Sequence, residues 1–94
     1  MVMPEKTRKK NQMAVLLNDY DAVRVPDISG AHKFFIHMDS ANDIVLADLA
    51  TELNTYDGNI IYNHDRYIAT NGVRKYMDPL NGSWRAVLTA RKVE

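Results

Sequence analysis

The side chains best suited to chemistry are few and stand in short polar stretches. His37 and Asp39 are two positions apart, a spacing that points both the same way on an extended strand and lets a carboxylate orient an imidazole for proton transfer. His64 adjoins Asp65, Asp19 and Asp21 flank Tyr20, and Tyr56 supplies another hydroxyl. Acids in turn-forming runs bond their own backbone far more often than they catalyse. The third histidine is His32, and no pair of the three has the H-E-x-x-H spacing or another local ligand signature, so no metal is expected. The chain has no cysteine, which excludes disulfides, thiolate nucleophiles and cysteine metal sites. No nucleophile elbow, glycine-rich phosphate loop or serine with a histidine partner can be read. The expectation is a protein without catalytic residues or cofactor.

One polar loop still poses a chemical question. The run Asp39-Ser40-Ala41-Asn42-Asp43 precedes an apolar segment in which Leu46, Leu49, Ala50 and Leu53 recur at i, i+3, i+4 and i+7, the stripe of an amphipathic helix. Asp48, Thr51, Glu52 and Asn54 fall on its other side, and Asp57-Gly58 supplies the stop. Ser40 and Asp43 stand in the S-x-x-D relation of a capping box. Ile44 and Val45 widen the apolar stripe at its start. The loop therefore reads as a cap whose acids also suit the helix dipole.

The elements around that helix are short. Residues 13–17 and 22–26 are aliphatic and separated by the turn-prone Asn18-Asp19-Tyr20-Asp21, which predicts a hairpin, with a short helix through residues 13–20 as the alternative. Residues 33–38 alternate Phe34, Ile36 and Met38 against Phe35 and His37, as a central strand does. Residues 59–63 and 66–70 form a second predicted hairpin, joined at His64-Asp65. In residues 71–79, Val73, Tyr76 and Met77 recur at helical spacing and predict about two turns of helix, with a strand there as the alternative. From Trp84 onward Trp84, Ala86, Leu88 and Ala90 alternate with Arg85, Thr89 and Arg91, a strand with one buried and one basic face.

The fold class expected is α+β: a small antiparallel sheet covered on one face by one or two helices, in β-α-β-β-α-β order from residue 33, preceded by a short hairpin. Residues 1–12 read as a disordered basic arm and 13–94 as a single domain, since 94 residues leave no room for two cores. Two families with that element order set tests. Histidine-containing phosphocarriers place a histidine, then arginine and proline, at the start of the first helix, where this chain has Asp39 to Val45. RNA-recognition domains need a K/R-G-F/Y-G/A-F-V-x-F/Y pattern, where this chain offers His64-Asp65-Arg66-Tyr67-Ile68-Ala69. Neither requirement is met.

Charge is segregated although the formal net charge is zero. The first ten residues hold Lys6, Arg8, Lys9 and Lys10. Residues 11–65 carry nine acids against Arg24 and Lys33, and residues 66–94 are again basic. A polarised surface without catalytic motifs suits a small accessory or regulatory factor, of the kind phages and mobile elements encode, that binds another protein. The contact residues expected are the acids of the helix front (Asp43, Asp48, Glu52) or the basic strand (Arg85, Arg91), with Tyr62 and Tyr67 as aromatic anchors. The alternative is a nucleic-acid-binding module using Lys6, Arg8, Lys9, Lys10, Arg74, Lys75 and Lys92 against phosphates. No run reaches the roughly 20 apolar residues of a membrane span, and no secretory leader pattern is visible, so a cytoplasmic protein without membrane partners is expected.

Overall fold

The computed structural model describes residues 13–94. The basic arm expected over residues 1–12 lies outside the described residues. Seven strands form one sheet: β1 (Val15–Leu16), β2 (Val23–Pro26), β3 (Ala31–Met38), β4 (Asn59–Tyr62), β5 (Asp65–Ala69), β6 (Arg74–Met77) and β7 (Trp84–Lys92). The one α-helix among the described residues, α1 (Ile44–Thr55), connects β3 to β4, and Leu17–Tyr20 make a turn of 3-10 helix. The strand order is β1-β4-β5-β7-β3-β2, with β6 also paired to β7.

The last strand is the hub. One edge of β7 carries β3 along eight residue pairs, from Ala31↔Arg91 to Met38↔Trp84. The other edge is shared by β5, near Lys92 to Ala90, and β6, near Val87 to Trp84. β5 and β6 are therefore one long strand with an interruption. Between Ala69↔Ala90 and Arg74↔Val87 five steps on that strand oppose three on β7, so two residues are extra. Such a bulge bends a strand and increases its twist, and it contributes to the curl of this sheet into a half-barrel.

Side chains alternate strictly across this curl. Phe34, Ile36 and Met38 of β3 and Ala86, Leu88 and Ala90 of β7 point to one face and are buried. They meet Leu49 and Leu53 of α1, Ile60 of β4, Tyr67 of β5, and Val15 and Leu17 from the start of the described chain. Edge-to-face rings centre this core, Phe34 lying 5.1 Å from Tyr67 and 5.0 Å from Tyr62, an arrangement that adds to the area they bury. The odd-numbered residues of β3 and β7 point the other way. No described element covers that face.

The architecture corrects the expected fold. It is mostly β, a curled mixed sheet with one helix, and not a flat antiparallel sheet in β-α-β-β-α-β order under one or two helices. The predicted second helix is strand β6, closed to β7 by a turn in which Gly82 N–H donates to Asp78 O at 2.8 Å. Gly72 and Pro79 leave too few residues between them for a stable helix, while β7 offers an unpaired edge. The first hairpin is also absent. Val15 and Leu16 pair in parallel with Ile60 and Ile61, whereas β2 runs antiparallel to β3. Between them the 3-10 turn and the left-handed Asp21 (φ 54°) redirect the chain, because Val15 and Leu17 gain a fully buried site beside β4.

The helix and the second hairpin follow the sequence more closely. Asp57 and Gly58 adopt left-handed φ values of 56° and 79°, and Gly58 N–H closes onto Leu53 O at 2.8 Å, so the Asp-Gly stop operates as expected. The cap itself is different. α1 starts at Ile44 and its N-cap is Asp43, whose carboxylate accepts from Val45 N at 3.0 Å; Ser40 Oγ accepts only from Asn42 N, at 3.3 Å. The β4–β5 hairpin turns at Asn63 and His64, both with positive φ, one position before the predicted His64-Asp65.

Candidate functional site

The uncovered face of the sheet holds the one concentration of exposed aromatic, aliphatic and basic side chains among the described residues that lie on regular strands. Register fixes which residues share it. Val23 of β2, Phe35 of β3, Val87 of β7 and Arg74 of β6 are successive cross-strand partners. Val25, Lys33 and Thr89 form the next row, and His37, Arg85 and Tyr76 the row on the other side. Ala31, Arg91 and Ile68 extend the face toward the far end of β7.

The rings stand at its centre. Phe35 and Tyr76 meet edge to face at 5.9 Å, and together with the aliphatic stems around them they bury Val87 to 7% exposure although no described element lies above it. Tyr76 keeps 41% of its surface exposed and Val23 keeps 60%. A groove of about 450 Å³ runs along one side of the ring pair, lined by Val23, Val25, Phe35, His37, Tyr76 and Arg85, with Asp21 at its margin. A smaller one of about 290 Å³ lies along the other side, lined by Lys33, Phe35, Arg74, Lys75, Tyr76 and Val87.

The electrostatics of the face are cationic. Lys33, Arg74, Arg85 and Arg91 project from it. Arg85 is steadied by Asp78, Nη1 to Oδ2 at 3.1 Å. The Leu80 backbone N–H and then Arg85 hold the Asp78 carboxyl below the usual carboxylate range. His37 Nε2 lies 3.3 Å from Asp39 Oδ1 with both side chains well exposed. The pair predicted from spacing therefore exists, but it sits in open solvent. Among the described residues no group of three or more His, Cys, Asp or Glu stands close enough to hold a metal ion.

The other predicted contact residues are dispersed. Tyr67 is 2% exposed in the core and its hydroxyl accepts from Arg24 Nη1 at 3.3 Å. Tyr62 packs on Phe34 and donates to Ala22 O at 3.1 Å. Both rings lie on the covered face of the sheet, Tyr67 buried and Tyr62 partly buried. Asp43 caps α1. Its carboxyl is held low by the Asp39 backbone N–H, at 2.6 Å, and by that of Val45. Glu52 accepts from Tyr20 Oη at 2.8 Å, and burial followed by this carboxylate pushes the Tyr20 phenol up. Asp48 is exposed on α1. The helix acids and the Arg85–Arg91 strand face thus lie on opposite sides of the sheet and form no joint surface. Lys75 stands over the Trp84 ring at 5.9 Å, and Lys92 pairs with Asp65 at 3.6 Å, which leaves Arg74 as the member of the predicted phosphate-contacting set nearest the centre of the open face. Lys6, Arg8, Lys9 and Lys10 lie outside the described residues.

Sequence reasoning passed over Phe35, Tyr76, Lys33, Val23 and Val25. A signal existed for Phe35, which is out of phase with the buried set of β3. Tyr76 was hidden because its spacing from Val73 resembles a helical stripe. The chain matches no family model, no curated protein and no solved structure. No described helix is long and apolar enough to cross a membrane.

Proposed function

We propose that this protein is a non-enzymatic binding module, an accessory or regulatory factor that docks a macromolecular partner on the uncovered face of its sheet. One observation carries the reading. The Phe35–Tyr76 ring pair, with exposed Val23 and Val25 beside it, sits among four cationic side chains on a face that no described element covers. Contiguous exposed apolar surface rimmed by polar groups marks interaction sites on small domains, and aromatic and arginine side chains supply most of the binding energy where such sites are measured.

The test uses the full chain immobilised and exposed to lysate of its native host, with bound protein and nucleic acid both analysed. The double variant Tyr76→Ala with Arg91→Gln is expected to lose the retained partner, while Asp48→Ser on the helix keeps it. A partner lost with Asp48→Ser and kept by the sheet variant would move the site to the helix and overturn the assignment.

A further inference from the structure

Resting on that reading of the open face, we infer that its occupant is a single-stranded nucleic acid, with bases stacked on Phe35 and Tyr76 and phosphates held by Lys33, Arg74, Arg85 and Arg91. The first argument is charge complementarity. Lys33, Arg74 and Arg91 form no ion pair among the described residues, whereas the acids at the margin are mostly engaged: Asp78 by Arg85, Asp39 by His37 and Asp27 by its own turn, with Asp21 lining the groove. The helix acids lie elsewhere: Asp48 and Glu52 are on α1, beyond the core, and Asp43 is tied to the helix start. A basic surface on a chain of zero net charge is the local electrostatic footprint that a polyanion requires.

The second argument is the order in which rings and cations alternate. A protein interface concentrates apolar side chains at its centre and leaves charge to the rim. Here the two kinds are interleaved across strands. Phe35 is flanked along β3 by Lys33, Tyr76 along β6 by Arg74, and Arg85 lies between His37 and Tyr76 in one row. With neighbouring strands roughly 4.8 Å apart and about 6.7 Å between same-face residues along a strand, Lys33 and Arg91 have backbones about 8 Å apart, and Arg85 and Arg91 about 20 Å. That is a track long enough for a few nucleotides, matching a polymer in which flat bases and anionic phosphates alternate. Grooves on both sides of the ring pair give bases a place against either side. Sheet-borne aromatics use this chemistry on unpaired bases, and it tolerates sequence because every base has a π-face.

The same observations disfavour a second copy of the chain. Symmetric pairing of this face would set Lys33, Arg74 and Arg91 against their own equivalents, and like charges placed opposite one another are destabilising. A duplex hides its base faces, so the rings would contribute nothing to its binding.

The experiment is a fluorescence-anisotropy titration of the full chain with labelled twelve-nucleotide dT and rU strands and a duplex of equal length, repeated between 50 and 200 mM salt. The single strands are expected to bind more tightly than the duplex, with affinity falling about as the third power of salt if all four cations meet phosphate. Tyr76→Ala should weaken binding roughly tenfold, and Tyr76→Phe, which keeps the ring, should restore it. Arg91→Gln should make the salt dependence shallower by about 0.7 in the exponent, whereas Lys92→Gln, an equal loss of charge off this face, should leave it unchanged. The ratio of dT to rU affinity then assigns the sugar. Equal effects of Lys92→Gln and Arg91→Gln, or binding indifferent to Tyr76→Ala but abolished when Lys6, Arg8, Lys9 and Lys10 are all made Gln, would overturn the inference. Should the strands fail to bind while the immobilised chain still loses a protein partner through the sheet-face variant, the nucleic-acid occupant is wrong and the docking face stands.

Discussion

Phe34 and Phe35 are adjacent in the chain and belong to two different surfaces. Phe34 is fully buried among Tyr62, Tyr67 and the helix leucines, and Phe35 lies half-buried on the open side with Tyr76. The same contrast runs down β7, where Ala86, Leu88 and Ala90 face inward, and Arg85, Thr89 and Arg91 face outward. One face has been reduced to shape: rings meeting edge to face, with alanines giving them room. The other combines rings with cations, a mixture that a folding core would reject and a binding surface can use. The parity of a residue on these strands therefore separates what holds the fold from what is offered to a partner.

The largest test of that division is the pair of substitutions Phe34→Ala and Phe35→Ala in urea unfolding. Phe34→Ala is expected to cost about 3–5 kcal/mol, much of the total stability of a small domain. Phe35→Ala removes a half-buried ring and should cost about 1 kcal/mol. Equal losses would mean that the outer face is itself a core, and the contrast would collapse.

A smaller effect sharpens the boundary of the covered side. Tyr20→Phe removes the hydrogen bond to Glu52, worth about 1 kcal/mol. It also removes a phenol whose folded pKa lies above its unfolded value near 10. A raised pKa contributes stability that is whole below pH 10 and is lost as pH rises beyond it. Thermal melts of the native chain should therefore decline above pH 10, and those of Tyr20→Phe should decline less. A native profile no steeper than that of the variant would remove the Tyr20–Glu52 contact from the account.

The smallest effect concerns the loops at the two sides. Asp43, at the start of the helix, and Asp78, beside Arg85 on the open side, both have folded pKa values below the unfolded one. Their contribution is present above about pH 4 and is lost as pH falls through the folded values. The double variant Asp43→Asn with Asp78→Asn should melt at nearly constant temperature from pH 5 to pH 2, where the native chain loses stability. Parallel acid profiles would place the sensitive carboxylates elsewhere.

What the sequence made legible follows from how local the deciding contacts are. The alternation of β3 and β7, the helix stripe through Leu49 and Leu53, and the Asp57-Gly58 stop depend on neighbours within a few residues, and each was readable. The cap moved from Ser40 to Asp43 because both residues satisfy the local pattern and only the path from β3 decides between them. Residues 74–77 became a strand because β7 had a free edge, a fact held thirteen or fewer residues away yet invisible to periodicity. Val15 and Leu16 went to β4, and nothing near them in the chain names that partner. The candidate site suffered most, since Phe35, Tyr76 and Val23 share a surface only through three successive registers. Arg85 and Arg91 could be assigned to one face because they alternate within one strand.

The position of β7, last of the described strands and central in space, also governs how this chain can acquire its structure. Its longest register joins Ala31 to Arg91, and such distant pairing places folding in the slow class, on the order of milliseconds to seconds. During synthesis β3 must wait for β7 to leave the ribosome, with Phe34, Phe35 and Ile36 lacking their eventual neighbour until then. The interval in which that apolar strand is unprotected is set by translation, and it is there, more than in the finished fold, that the chain is open to misassociation.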